Sequence, residues 1–276
     1  MVDGTNYIYR AYYTFLKITN AVHQPLGMIY GVLNMFRKLL SQYNFYKMIV
    51  VFDSPMKTFR HNLFKQYKKN RSAMPIDLKN QIQPLYTKIK LLGIPSIIIP
   101  SVEADDIIGT LSYQAEKKGY FTLIATSDKD MAQLVTKNIN IIDSIKNIIL
   151  GPEAIKKKYG ISPKLIIDFL ALVGDTADNI PGVIGIGKKT AIILLTQLGS
   201  IEKIYNKIEQ IKQLPLRGVK NIVEKLKQNK QMAFFSKALV TIKLDVSLHD
   251  TYKNFTLPIF QQKKILFFLK NYTKFL

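Results

Sequence analysis

Along the first half of the chain, short runs dense in β-branched residues alternate with longer stretches that read as helices. "MIVVFD" (Met48–Asp53), "PSIIIP" (Pro95–Pro100) and "FTLIAT" (Phe121–Thr126) have the length and composition of buried parallel strands. Between them lie the helical stretches "GVLNMFRKLLSQY" (Gly31–Tyr43) and "ADDIIGTLSYQAEKKG" (Ala104–Gly119), the second closed by a glycine. Strand alternating with helix predicts an α/β fold built on a mostly parallel sheet. From about Gly151 the strand-like runs fade, and helices punctuated by Pro and Gly dominate. No repeat or low-complexity linker separates the halves. The expected organisation is therefore an α/β core over 1–150, with a basic segment at about 56–90, and a helical region over 151–276 packed directly on it.

Composition narrows the chemistry. With 276 residues, 47% of them hydrophobic, the chain can bury a sizeable core. The absence of cysteine excludes disulfides, thiolate nucleophiles and thiolate zinc sites. The three histidines, His23, His61 and His249, stand far apart, which argues against a histidine metal cluster. The chain opens without a basic-then-apolar signal segment, and no apolar run approaches the ~18 residues of a membrane span. A cytoplasmic protein with no membrane partner is expected. The charge is the strongest compositional signal: Lys and Arg number 40 against 19 Asp and Glu, a formal net charge of +21. Such a balance suits a polyanionic partner, most simply nucleic acid. Some of it reflects a residue usage rich in Lys, Ile and Asn and devoid of Trp, as an AT-rich genome produces. That bias does not explain where the charges sit.

Acids recur where strands end. Asp53 closes "IVVFD", Asp128 and Asp130 follow "TLIAT" in "SDKD", and Asp3 follows whatever strand begins the chain. Glu103, Asp105 and Asp106, in "VEADDIIG", follow "SIIIP" after a short turn. In open α/β sheets the ligand crevice lies outside the carboxyl ends of the strands. One acid after a strand usually just caps the next helix; acids at four separate strand ends point to a shared ligand. Two carboxylates about 4 Å apart repel by roughly 4 kcal/mol at an effective dielectric near 20, so a crevice holding several needs cations. All-oxygen donors suit hard divalent ions such as Mg²⁺, which keep several waters. Two such ions about 3.5–4 Å apart would activate a water and stabilise the leaving oxygen of a phosphodiester. "GDTADN" (Gly174–Asn179) adds Asp175 and Asp178 from the helical half, closing the crevice from the other side.

"PGVIGIGKKTA" (Pro181–Ala191) imitates a P-loop, but Lys189 stands where that motif needs Ser or Thr, and no strand precedes it. Its glycines, spaced G-x-x-G-x-G, also miss the dinucleotide-binding order. A tight hairpin feeding the helix "KKTAIILLTQL" would instead present backbone N–H groups and two lysines to a DNA phosphate, without base readout. A plain turn between two helices is the competing reading. The basic segment carries Lys57, Arg60, Lys65, Lys68, Lys69, Arg71, Lys79, Lys88 and Lys90 against the single acid Asp77. Phe59, Phe64 and Tyr67 are interleaved, a mixture suited to a single-stranded backbone and its bases. A solvated basic helix would read the same way.

Taken in order, "VDGTNYIYRAYY", "VVFDSPMKTFRH", "YKKNR", "SVEADDIIGTL", "TSDKDMAQLV" and "KYGISPKLIIDFLALVGDTADNIPGVIGIGKKTA" resemble the 5′–3′ exonuclease domain of bacterial DNA polymerase I, within the flap-endonuclease family. The resemblance runs through nearly the whole chain. It implies a nuclease core with a helical arch and a helix–hairpin–helix-like duplex-binding region. The implied activity is metal-dependent removal of 5′ flaps and RNA primers from nicked or branched DNA in replication and repair. By motif match, Asp3, Asp53, Glu103, Asp105, Asp106, Asp128, Asp130, Asp175 and Asp178 are the implied metal-site acids. Arg60, Lys68 and Arg71 match basic arch residues implied to act in catalysis. Tyr67, Lys68, Arg71, Gly185, Gly187, Lys188, Lys189 and Thr190 are the implied DNA contacts. Two Mg²⁺ ions are expected, with Mn²⁺ able to substitute and K⁺ at the 182–190 hairpin. The expected state is a nucleoid-associated monomer acting on DNA alongside a separate polymerase and ligase. A PIN-like endoribonuclease and a non-catalytic, structure-specific DNA-binding protein are the alternatives. The chain stops at Leu276, as a free-standing exonuclease would, and only Met1 and Val2 precede Asp3. A strand usually needs about five residues. The expectation is a stub with a gap beside it, a loosely held Asp3, and a natural start further upstream.

Overall fold

The computed structural model describes residues 1–19, 23–143, 147–248 and 261–272; His249 lies outside them. One six-stranded sheet runs in the order β3-β2-β1-β4-β5-β6. Its strands are β1 (Val2–Asp3), β2 (Val50–Val51), β3 (Ser96–Ile97), β4 (Thr122–Ala125), β5 (Ile139–Asp143) and β6 (Ile148–Leu150). All pairings are parallel except β5 with β6. The predicted mostly parallel α/β core is present. The helices of its part of the chain are α1 (Gly4–Thr14), α2 (Gly27–Gln42), α3 (Phe59–Leu63), α4 (Ile76–Leu91) and α5 (Ala104–Lys117). After Leu150 the described elements are helical: α6 (Pro152–Tyr159), α7 (Ile166–Val173), α8 (Lys188–Leu198), α9 (Ile201–Asn206), α10 (Val219–Gln228), α11 (Lys230–Val240) and α12 (Gln262–Tyr272), with short 3₁₀ turns between some of them.

Strand residues alternate between two cores, as the two-residue period of a strand requires. Val50 and Phe52 enter a layer with α1, α2, α4 and α12, whereas Ile49 and Val51 enter a second core. That second core continues from α5 through α7, α8 and α11 as far as Leu248, so the helical half shares its apolar interior with the sheet. Local signals mark several ends. Pro152 opens α6, and Gly160 closes it at φ 78°, a conformation that suits glycine.

The stub β1 and the residue before it are held through the backbone on both sides. The Met1 ammonium donates to the Leu123 carbonyl at 2.7 Å, Val2 N–H to Ile49 at 2.8 Å, and Ala125 N–H to the Met1 carbonyl at 2.8 Å. Asp3 is consequently fixed rather than loose, which corrects the expectation. The gap itself exists. A cavity of about 360 Å³, lined by Met1, Phe45, Met48, Ile49, Phe121 and Leu123 among others, opens at the amino ends of β1, β2 and β4. Burial there lowers the pKa of the Met1 ammonium to about 5.

The basic segment at 56–90 is not uniformly solvated. Its second half is anchored to the core: α4 buries Leu78, Gln81, Leu85 and Ile89 and packs on α2. Tyr12 of α1 donates to Asp77 at 2.9 Å, which ties the start of α4 to the first layer. The stretch before it, α3 and the turns that follow, reaches the carboxyl ends of the strands through Lys68 and Arg71, and Tyr86 of α4 packs on Phe52 beside Asp53.

Candidate active site

Four strand ends deliver carboxylates to one place. Asp3 caps α1 by accepting the Asn6 N–H at 3.0 Å, and its other oxygen accepts the Thr126 hydroxyl at 2.8 Å. Asp53, at the end of β2, accepts the Ala104 N–H at 2.7 Å and so satisfies an open amide at the start of α5. Its own N–H donates to Thr5 Oγ1 at 2.8 Å. Asp128 accepts the Asp130 N–H at 2.9 Å. Asp105, in the first turn of α5, has no hydrogen-bond partner among the described residues and faces Asp128, Asp3 and Asp53. One oxygen of Asp130 is buried without a partner. Burial, reinforced by Asp53 and Asp128, raises the Asp3 pKa to about 7. Burial and the charges of Asp128 and Asp175 raise Asp130 to about 8. Asp105 is pushed well up by burial and then by Asp128, Asp3 and Asp53, and Asp128 is pushed up by burial, Asp178 and Asp175.

On the helical side the acids already have cations. Glu103 accepts the Thr58 hydroxyl at 2.8 Å, Tyr67 OH at 3.0 Å and Lys68 Nζ at 2.9 Å. Burial alone would raise its pKa, but Lys68 and Arg60 outweigh that and lower it. Asp178 pairs with Arg71, accepts Tyr67 OH at 3.1 Å and lies 3.8 Å from Lys68 Nζ. Burial by itself would lower the Lys68 pKa; Glu103 and Asp178 overcome it and raise the pKa. Asp175 accepts Lys129 Nζ at 2.8 Å. Lys129, between Asp128 and Asp130 in "SDKD", escaped the sequence reading. Asking which cation balances that acid pair would have found it. Thr58 and Thr126, the hydroxyls that orient Glu103 and Asp3, carried no sequence signal.

Asp106 and Arg60 do not join the open cluster, contrary to expectation. The Arg60 guanidinium grips both Asp106 oxygens at 2.8 Å and donates to the Leu239 and Thr241 carbonyls, each at 2.8 Å. The Lys243 N–H completes Asp106 at 2.8 Å. Both side chains are buried. The pair therefore joins α3 and α5 to the end of α11 instead of facing solvent.

The donor set fits hard cations. It is made of carboxylate oxygens, includes an orphaned buried oxygen on Asp130, and has raised pKa values that cations would relieve. Among the described residues, no three acids draw close enough to enclose an ion directly. An ion that keeps much of its water suits that spacing. The cavity beside β1, by contrast, is mostly apolar and lies at the opposite ends of the strands.

The glycine hairpin is anchored to the fold. Val183 N–H donates to the Leu172 carbonyl at 2.8 Å, and Gly182 N–H to buried Ser236 at 3.1 Å. At Gly182, with φ 66°, a Cβ would come within 2.4 Å of the Gly174 nitrogen, so glycine is required by close backbone approach. Gly185, Gly187, Lys188 and Lys189 are exposed, Thr190 is half-buried, and Ile184 protrudes at the tip. The amides of the first turn of α8 have no intrahelical acceptor.

Comparisons with known proteins agree with this architecture. Residues 1–160 match the family model described as 5′-3′ exonuclease, N-terminal resolvase-like domain. Residues 161–263 match that of the 5′-3′ exonuclease C-terminal SAM fold. A 5′-3′ exonuclease of Buchnera aphidicola subsp. Baizongia pistaciae is 54% identical over 253 residues, covering 92% of this chain and 84% of that protein. DNA polymerase I of Pseudomonas aeruginosa is 45% identical over 90% of this chain, but the match covers only 27% of the polymerase. Among solved structures, T5 5′-exonuclease with bound zinc superposes with a TM-score of 0.69 at 22% identity, covering 99% of this chain and 97% of that one. The catalytic core of Rad2 in complex with DNA substrate superposes at 0.56 and 20% identity, over 97% and 91% of the two chains. The family match sets aside both the PIN-like endoribonuclease and the non-catalytic DNA-binding protein.

Proposed function

The chain belongs to the 5′–3′ exonuclease family, and on that premise we propose how its residues divide the hydrolysis of a phosphodiester near a DNA 5′ end. The observation that carries the reading is Asp105. It is an acid without a partner, facing three others at the carboxyl ends of the sheet, in a chain of formal net charge +21. We assign Asp3, Asp53, Asp105, Asp128 and Asp130 to divalent cations, with Glu103, Asp175 and Asp178 as the outer wall. Mg²⁺ is the fitting ion and Mn²⁺ a substitute, because the donors are all oxygen. When bound, such ions supply Lewis-acid stabilisation of a phosphodiester and a hydroxide nucleophile at neutral pH.

The remaining work falls to the chain's own groups. Lys68 and Arg71 stand between the acids and solvent, with side-chain exposures of 17% and 50%. They hold phosphate oxygens and stabilise the charge that grows on them. Tyr67 OH fixes the orientation of Glu103 and Asp178. Gly185, Gly187, Lys188, Lys189 and Thr190 grip the duplex through its backbone, which positions it without reading sequence. A K⁺ ion at hairpin 182–190 rests on family resemblance alone. Residues 1–150 serve as nuclease core and 151–276 as duplex-binding region. The protein acts as a cytoplasmic monomer on nicked, flapped or primer-bearing DNA, ahead of a separate polymerase and ligase. Among the described residues no helix is long and apolar enough to cross a membrane.

Incubation with labelled 5′-flap DNA and a matched single-stranded RNA, with and without Mg²⁺, tests the reading. Cleavage of the flap DNA only when Mg²⁺ is present is expected. Equal cleavage in EDTA, or preference for the RNA, would contradict it.

A further inference from the structure

Two loops far apart in sequence are laced together over the acids by neutral hydrogen bonds. Asn70 Nδ2 donates to the Thr176 carbonyl at 2.6 Å, and Asn179 Nδ2 to the Gln66 carbonyl at 2.7 Å. Between them, Lys68 N–H donates to the Asp178 carbonyl at 3.0 Å. We infer that Asn70 and Asn179 are positioning residues, a strap that holds the basic loop 64–71 against the acidic loop 174–180 so that Lys68 and Arg71 face the reacting phosphate. The inference rests on the roles proposed above for Lys68 and Arg71.

Backbone conformation supports it. Lys68 has φ 54° and Asn179 φ 56°, both in the left-handed region. Asparagine tolerates that region; lysine adopts it at a cost on the order of 1–3 kcal/mol, and only when its surroundings impose it. Apolar burial anchors the loop at Phe64 and Tyr67 only, which leaves the stretch from Lys68 to Arg71 to be held by polar contacts. Of residues 64–71, only Tyr67 is fully buried, while Lys65, Gln66, Lys69, Asn70 and Arg71 are exposed.

The strap also differs in kind from the ion pairs beside it. Lys68 with Glu103 and Arg71 with Asp178 depend on the charge of the carboxylates. Cations arriving among the neighbouring acids weaken those pairs by repelling the charges of Lys68 and Arg71. Bonds from an amide to a carbonyl carry no net charge and persist through that change. The loop therefore keeps its place while its cations turn from carboxylate to phosphate.

Asn179→Gly keeps the left-handed φ accessible and removes only the amide; Asn70→Ala removes the other donor. Single-turnover rates on 5′-flap DNA in Mg²⁺, steady-state KM, and amide hydrogen exchange over residues 64–71 are measured for each variant and for the pair. The expected result is kcat lower by roughly tenfold for each and on the order of 100-fold for the pair, with KM little changed. Exchange at residues 64–71 should quicken while the thermal midpoint stays near wild type. Asn179→Asp, which cannot donate, should behave like Asn179→Gly. Wild-type kcat in the paired variant, with or without faster exchange, overturns the inference. Lys68→Ala run alongside separates the causes. If it is slow while the Asn variants are not, the strap alone fails; if it too is fast, the role given to the basic loop fails.

Discussion

Asp105 and Asp106 are adjacent on α5, yet a step of about 100° around the helix turns them to different surroundings. Asp105 meets Asp128, Asp3 and Asp53, while Asp106 is enclosed by Arg60 and the Lys243 amide. Opposite stability effects follow for the metal-free protein. Asp106→Ala strands the buried Arg60 charge and should cost about 3–5 kcal/mol in urea denaturation. Asp105→Asn removes one of several repelling carboxylates and should leave the thermal midpoint unchanged or higher. If Asp106→Ala is as stable as wild type, the pair is not the link between α3, α5 and α11 described above. Neither difference is visible in "EADD", because the partners of Asp106 lie at Arg60 and Lys243, 46 and 137 positions away.

At the scale of elements, α8 and β1 carry separate expectations. Lys188→Ala with Lys189→Ala should weaken duplex binding about equally for all sequences and shallow the salt dependence by roughly 0.9 per lost phosphate contact. Fluorescence titration across salt concentrations measures this, and a change in sequence preference would argue against backbone gripping. β1 has two residues beside a cavity of about 360 Å³. An engineered extension of about four β-branched residues ahead of Met1 should fill that space. It should raise the thermal midpoint, since each well-buried apolar side chain is worth about 1.5–3 kcal/mol; an unchanged midpoint would mean that the extension does not enter. The central strands β2, β3 and β4 and helices α5 and α8 were legible because their apolar runs are short, dense and bounded. β5 and β6 were not. "INIID" alternates Ile with Asn, and edge strand β6 leaves Ile148 and Ile149 exposed at 47% and 41%. In segment 56–90 the charge pattern is uniform while the burial is not, so its sequence did not show which part packs: α4 turns Leu78, Leu85 and Ile89 inward and leaves Lys79 and Lys90 outside. Strand-end acids were legible one by one. Their cations were not, since Lys68, Arg71 and Lys129 reach them only through tertiary packing.

For the whole molecule, a positive exterior surrounds a core of acids that repel one another until cations arrive. Asp3 and Asp130, with folded pKa values raised to about 7 and about 8, bind protons more tightly than they would in the unfolded chain. Raised carboxyl pKa values favour the folded state at low pH. That contribution is lost as pH climbs from the unfolded value near ~4 through the folded values. Divalent cations stabilise the ionised form, so the rise in thermal midpoint on adding Mg²⁺ should be larger at pH 8 than at pH 5.5. Calorimetry in EDTA and in Mg²⁺ checks this; a shift independent of pH would mean that the ions bind elsewhere. The most direct test of the site is the single-turnover rate of Asp105→Asn on 5′-flap DNA in Mg²⁺, taken together with its DNA affinity in EDTA. Loss of a direct or near cation ligand should slow cleavage on the order of 100-fold or more, with affinity equal to wild type or tighter because a negative charge is gone. Cleavage near the wild-type rate would contradict the account.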